Sequence, residues 1–123
     1  MKTQEILRRD WPKFFESFSR RHSGWPIILE VFGAEIGDQI EGRNLALEGI
    51  SANLFQGGAK IEIMMGSNAN HHVTHTIAAP TQVSLERTDE GADAVLLIKS
   101  SNDTAALLRF IGTCNGKTGA TLG

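Results

Sequence analysis

Leu45-Ala46-Leu47-Glu48-Gly49-Ile50-Ser51-Ala52-Asn53-Leu54 holds two apolar registers back to back: Leu45 and Leu47 are odd-numbered, Ile50, Ala52 and Leu54 even-numbered. Successive side chains of a strand point to opposite faces, so an apolar period of two marks a half-buried strand. One strand cannot bury odd positions and then even ones without an extra residue. Glu48-Gly49 is therefore predicted to be a β-bulge or a sharp bend.

The same period runs outward on both sides. Ile27, Leu29 and Val31 alternate with Ile28, Glu30 and Phe32. Gln56-Gly57-Gly58 reads as a hairpin turn, followed by Ile61, Ile63 and Met65 with Lys60 and Glu62 opposite. Gly66-Ser67-Asn68-Ala69-Asn70 reads as a loop. Val73, His75 and Ile77 form a short strand that Ala79-Pro80-Thr81 breaks. Val83 and Leu85 form the next, Asp89-Glu90-Gly91 turns the chain, and Ala94 to Ile98 is apolar on both faces. Ser101-Asn102-Asp103 turns it again before Ala105 to Phe110. Asn102-Asp103-Thr104 also spells a glycosylation acceptor, but a turn between strands explains it.

Only one segment has helical spacing. Trp11, Phe14, Phe15 and Phe18 fall at i, i+3, i+4 and i+7, half of the chain's eight aromatic residues (two Trp, six Phe). Asp10 is the expected N-cap, Pro12 is tolerated in the first turn, and Gly24 is the expected stop. Lys13, Glu16, Ser17, Arg20 and Arg21 take the other face, with Glu16 and Arg20 one turn apart. No second helix fits between the strands, and parallel pairing needs a crossover of about a dozen residues. The expected fold is α+β: one N-terminal amphipathic helix packed on, or plugging, a strongly bent antiparallel sheet or small β-barrel of seven to eight strands. Residues 1–111 are read as one domain and 112–123 as a flexible tail.

Composition narrows the function. The chain of 123 residues has 12 basic and 14 acidic side chains, a net charge of −2, which is not the basic footprint of a nucleic-acid binder. Residues 1–21 carry six basic and three acidic groups, +3, and the remainder six and eleven, −5. The basic segment is expected to pack on its own acidic sheet with its aromatic face inward, rather than on a membrane. A single cysteine, Cys114, forbids an intrachain disulfide. No apolar run of signal-peptide or membrane-helix length is present, so a cytoplasmic location is expected.

The candidate chemistry is sparse. His71-His72-Val73-Thr74-His75 holds three of four histidines. On a strand His71 and His75 share a face about 13 Å apart, too far for one ion, and His72 points the other way. His72 and His75 are the only metal-ligand candidates, and the expected reading is structural. Gly112-Thr113-Cys114-Asn115-Gly116-Lys117-Thr118 resembles a phosphate-binding loop, but it is one residue short between its glycines and has no room for the following helix. Cys114 lies in that segment, with only Lys117 nearby to activate it. Glu41, Glu48, Glu62 and Glu86 alternate with apolar neighbours like a solvated sheet face. No catalytic motif and no cofactor site are found.

Thr3-Gln4-Glu5-Ile6 followed by Asp10-Trp11-Pro12 and Phe14-Phe15, then Leu47-Glu48-Gly49-Ile50, His72-Val73-Thr74-His75-Thr76-Ile77 with Pro80-Thr81, and Leu107-Leu108-Arg109-Phe110 occur in an order that resembles the family catalogued as domain of unknown function 5335. The resemblance spans residues 3–110 and implies a soluble bacterial protein; it brings no activity, cofactor or catalytic residue. The expected function is a non-enzymatic binding or accessory module with a protein or small-ligand surface. The alternatives are a metal-binding protein or metal-dependent enzyme using the His71–His75 cluster, and a self-associating structural protein. The last would be a homo-oligomer pairing through an edge strand such as 26–32 or 104–110. No nucleic-acid or membrane partner is expected.

Overall fold

The computed structural model describes residues 2–33, 37–68 and 71–111. A helix α1 (Trp11–His22) is preceded by one 3-10 turn (Arg8–Asp10) and embedded in an eight-stranded antiparallel sheet. The strands are β1 (Lys2–Ile6), β2 (Pro26–Gly33), β3 (Gly37–Phe55), β4 (Gly58–Asn68), β5 (His71–Ala78), β6 (Pro80–Arg87), β7 (Asp93–Ser100) and β8 (Thr104–Phe110). They lie in the order β1-β6-β7-β8-β2-β3-β4-β5. Two meanders, β2 to β5 and β6 to β8, are thus joined side by side through β8 and β2. The sheet is bent but not closed into a barrel.

The expected bulge is present. Leu47 pairs with Met65 and Gly49 with Met64, so Glu48 is the extra residue, and Ile50 then pairs with Ile63. The insertion lets Leu47 and Ile50 both point inward, and both are buried. Gly57, in the two-residue turn between β3 and β4, has φ +87°, where a side chain would be strained. Between β5 and β6 the chain turns on Ala79 alone, at φ +52°. Gln82, not Thr81, then pairs with Lys99 in a second irregularity.

Trp11, Phe15, Phe18 and His22 form the buried stripe of α1, at i, i+4, i+7 and i+11. They meet Ile27, Leu29, Leu47, Ile61, Ile63, Met65, Leu85, Leu96 and Ile98, all fully buried. Phe14 is half-buried against this core. Glu16 and Arg20 form the expected exposed ion pair, 3.4 Å apart. The aromatic face points inward, as the charge division required.

Several expectations need correction. β1 was not legible, because four of its five residues are exposed and show no apolar alternation. Asp10 occupies the N-cap position but makes no side-chain cap; its φ and ψ of −94° and −6° are helical, since the 3-10 turn already leads into the helix. Gly24, at φ +87°, donates its N–H to the Leu47 carbonyl at 2.8 Å, so the helix stop also docks the chain on β3. Gly66, Ser67 and Asn68 belong to β4 rather than to a loop, the pairing continuing past a second bulge between Gly66 and Asn68. Strands 26–32 and 104–110 are not edges: β2 lies between β8 and β3, and β8 between β7 and β2. The edges of the order are β1 and β5. The segment expected as a tail, 112–123, lies outside the described residues.

Candidate functional site

α1 lies along the open side of the sheet, between β1 and the second half of β3. On the β1 side it leaves a groove of about 510 Å³, lined by Gln4 to Leu7 and by Asp10, Lys13, Phe14, Ser17 and Arg21. The helical residues follow one flank of the cylinder, and four consecutive residues of the other wall contribute whichever way their side chains point. No residue of β6 lines it. The groove therefore runs along the side of β1 that has no neighbouring strand among the described residues. Its floor holds half-buried Phe14, and Leu7 stands 52% exposed at its mouth. The Trp11 indole N–H donates to the Ile6 carbonyl at 2.9 Å, pinning the end of β1 to the start of α1.

The opposite end of the groove rests on a polar cluster. The Asp93 side chain is only 6% exposed, and it accepts from Arg87 Nε at 2.9 Å and Arg21 NH1 at 3.2 Å. Arg87 NH1 also donates to Gln4 Oε1 at 2.6 Å. One carboxylate thus ties β1, α1, β6 and the start of β7 together. His22 closes the cluster from inside, its Nε2 standing 3.2 Å from Asp93 Oδ2. Its Nδ1–H donates to the Phe18 carbonyl at 2.8 Å. Phe18, Trp25 and Phe110 surround the ring, with centroids at 4.3, 4.6 and 4.7 Å.

Burial pushes the His22 pKa below the ordinary 6.5, and Arg21 adds to the lowering; the Phe18 carbonyl and Asp93 carboxylate oppose it. A neutral imidazole in the fold and an ordinary one in the unfolded chain mean that the unfolded state binds the proton first. Stability from His22 is complete above about pH 6.5 and is lost as the pH falls through the window between that value and the lowered folded one. Urea titrations from pH 7 to 5 are expected to show falling stability in the wild type. A smaller slope is expected in His22→Gln, which cannot take up the proton. Equal slopes would overturn the assignment to this ring.

The histidine cluster is divided as its spacing requires. His71 and His72 are exposed, and His75 is half-buried on the face of Val73 and Ile77. His72 Nδ1 lies 2.5 Å from the Glu48 carboxylate, across the bulge. Gly66 makes room for this contact, because a Cβ there would collide with the Glu48 carboxylate and stand 3.1 Å from His72 Nδ1. His75 lines a smaller hollow of about 230 Å³ with Val31, Ile77, Asn102, Thr104 and Ala106. Among the described residues no group of three or more His, Cys, Asp or Glu side chains is placed to hold a metal ion. Glu62 and Glu86 are half-buried and Glu48 is exposed. The Glu41 side chain, Cys114 and the Gly112–Thr118 segment lie outside the described residues. Asn102 sits in the expected turn and accepts from the Thr104 hydroxyl at 2.7 Å.

Gln4, His22, Arg87 and Asp93 were not singled out by the sequence. Four residues spread over four elements leave no spacing signal. The only local cue was His22 continuing the helical stripe one turn beyond Phe18.

The structure defines a class: a bent, open antiparallel sheet whose gap is filled by one helix, with a groove beside the helix. The chain belongs to the family of unknown function DUF5335, whose pattern matches residues 2–117 and so runs past the last strand. It is similar to a protein of Aquifex aeolicus (strain VF5) described as uncharacterized, 28% identical over 110 residues that cover 89% of this chain and 93% of that one. No solved structure matches. No helix among the described residues is long and apolar enough to cross a membrane.

Proposed function

We propose that the protein is a non-enzymatic binding module that takes an extended polypeptide segment into the groove between β1 and α1. The observation that carries this reading is the coincidence of a strand side left unpaired among the described residues with a groove of about 510 Å³. A guest strand can satisfy its main chain on such an edge, while alternate side chains drop toward the helix. Phe14 and Leu7 offer apolar contact, and Lys13, Ser17 and Arg21 offer polar contact along one flank. Glu5 and Asp10 balance Lys13 and Arg21 in the lining, so main-chain pairing and apolar contact rather than net charge select the guest. The cluster on Asp93 holds both walls in place, which spares the guest the work of ordering the site.

The test is selection of displayed peptides on the immobilised protein, followed by hydrogen exchange on the complex. Enriched peptides are expected to be extended, to protect amides within Lys2–Ile6, and to lose at least ~10-fold in affinity on Phe14→Asp or Lys13→Glu. Peptides that protect other strands, or that bind both variants unchanged, would refute the assignment.

A further inference from the structure

A second groove flanks the opposite side of α1, and its geometry points to a second copy of this chain as the occupant. β2 pairs with β3 only as far as Ala46, so among the described residues no strand covers that side of residues 48–55. The Ser19 hydroxyl takes the first available position there. It donates to the Ile50 carbonyl at 3.0 Å and accepts from the Ile50 N–H at 2.8 Å. Main-chain groups of an antiparallel strand alternate sides, so Ala52 and Leu54 present their N–H and C=O to the same open side as Ile50. Among the described residues nothing bonds to them there. Beside this edge lies a groove of about 350 Å³ lined by Pro12, Glu16, Ser19, Gly49 to Ala52 and Met64.

The strand end next to the groove supplies a matching projection. Phe55 is 57% exposed and Leu54 39%, two of the four large apolar side chains left in solvent among the described residues. The nine residues Ile50 to Gly58 carry no charged side chain, so a two-fold pairing brings no like charges together. Ser19 also restricts the register. With it seated on Ile50, a two-fold axis at Ala52 is blocked, because that axis would set Leu54 of the second copy against Ile50. An axis at Asn53 brings only Gln56 of the second copy to the level of Ile50, and there the chain has already left the strand for the turn, so Ser19 stays in place. Ala52 and Leu54 then exchange N–H···O=C bonds with Leu54 and Ala52 of the second copy. The same axis sets Phe55 of the second copy opposite Ser51 and on its face. Residues Gly49 and Ser51 are small, and Met64 is adjacent, so the phenyl ring lies in the groove. Both copies make the same contact, and the assembly closes at two.

Such a contact is shorter than a standard interface, so association in the range of about 10–100 μM is expected. Sedimentation velocity from ~1 to ~500 μM tests it on the whole chain. The wild type is expected to move from monomer to dimer. Phe55→Glu is expected to weaken dimerisation at least ~10-fold, while Leu7→Glu, in the groove on the other side of the helix, leaves it unchanged. Unfolding curves of Phe55→Glu below 1 μM, expected to match the wild type, separate lost pairing from lost folding. A wild type that stays monomeric to ~500 μM, or a dimer that Leu7→Glu disrupts and Phe55→Glu does not, overturns the proposal.

Discussion

Asp93→Ala is expected to lower the unfolding free energy by about 3 kcal/mol, among the largest effects of any single polar substitution in the chain. The carboxylate is nearly enclosed and receives both Arg87 and Arg21. Removing it leaves two guanidinium groups facing each other with no counter-charge. Breaking a fully buried pair from one side costs about 3–5 kcal/mol. The lower end applies here because Arg21 is 48% and Arg87 32% exposed and can turn toward water. Chemical denaturation at pH 7 checks the value. Asp93→Asn, which keeps one carbonyl acceptor, is expected to fall between the two. A loss under ~1 kcal/mol for Asp93→Ala would show that the cluster is an ordinary surface ion pair. Because Gln4 is held through Arg87, the variant is also expected to speed hydrogen exchange in β1 before it does so in β6.

Phe18→Ala is expected to cost about 3–5 kcal/mol, the usual range for deleting a buried aromatic ring. Phe18 has no exposed surface and touches Phe14, His22 and Phe110, with centroids 5.5, 4.3 and 5.8 Å away. Its removal opens a cavity at the junction of α1 with β8, and His22 loses one wall of its enclosure. Phe14→Ala, at a half-buried position on the groove floor, is expected to cost less than half as much. Intrinsic fluorescence reads both, since Trp25 packs 4.6 Å from the His22 ring. If Phe14→Ala were the more damaging, Phe14 rather than Phe18 would be the inward residue of α1.

Local signals carried most of the fold. The helix announced itself through four aromatic residues on one face, and the strands through their period of two. The bulge followed from a phase change at Glu48, because a strand can reverse its buried face only by adding a residue. The turns at Gly57, Gly91 and Asp103 fell on residue types that accept positive φ, and all three have it. β1 escaped because it is an exposed strand whose pairing with β6 joins residues some eighty positions apart. Lys2-Thr3-Gln4-Glu5 has no buried face to read. The edges of the sheet were misjudged for a related reason. A strand's neighbours depend on long-range pairing, and β8 beside β2 is invisible to any local pattern.

The candidate sites divide along the same line. Local pattern was enough for the helix and its inward stripe, the alternation of the strands, the bulge, and the separation of His71, His72 and His75 on opposite faces. Periodicity and turn chemistry act over a few residues, so these features are written locally. Long-range packing brings Asp93 to Arg21, His22 and Arg87, seats α1 in the gap of an open sheet, and leaves a groove on each side of it. Those features depend on how strands distant in sequence come together, and on the volume left between them once they have packed.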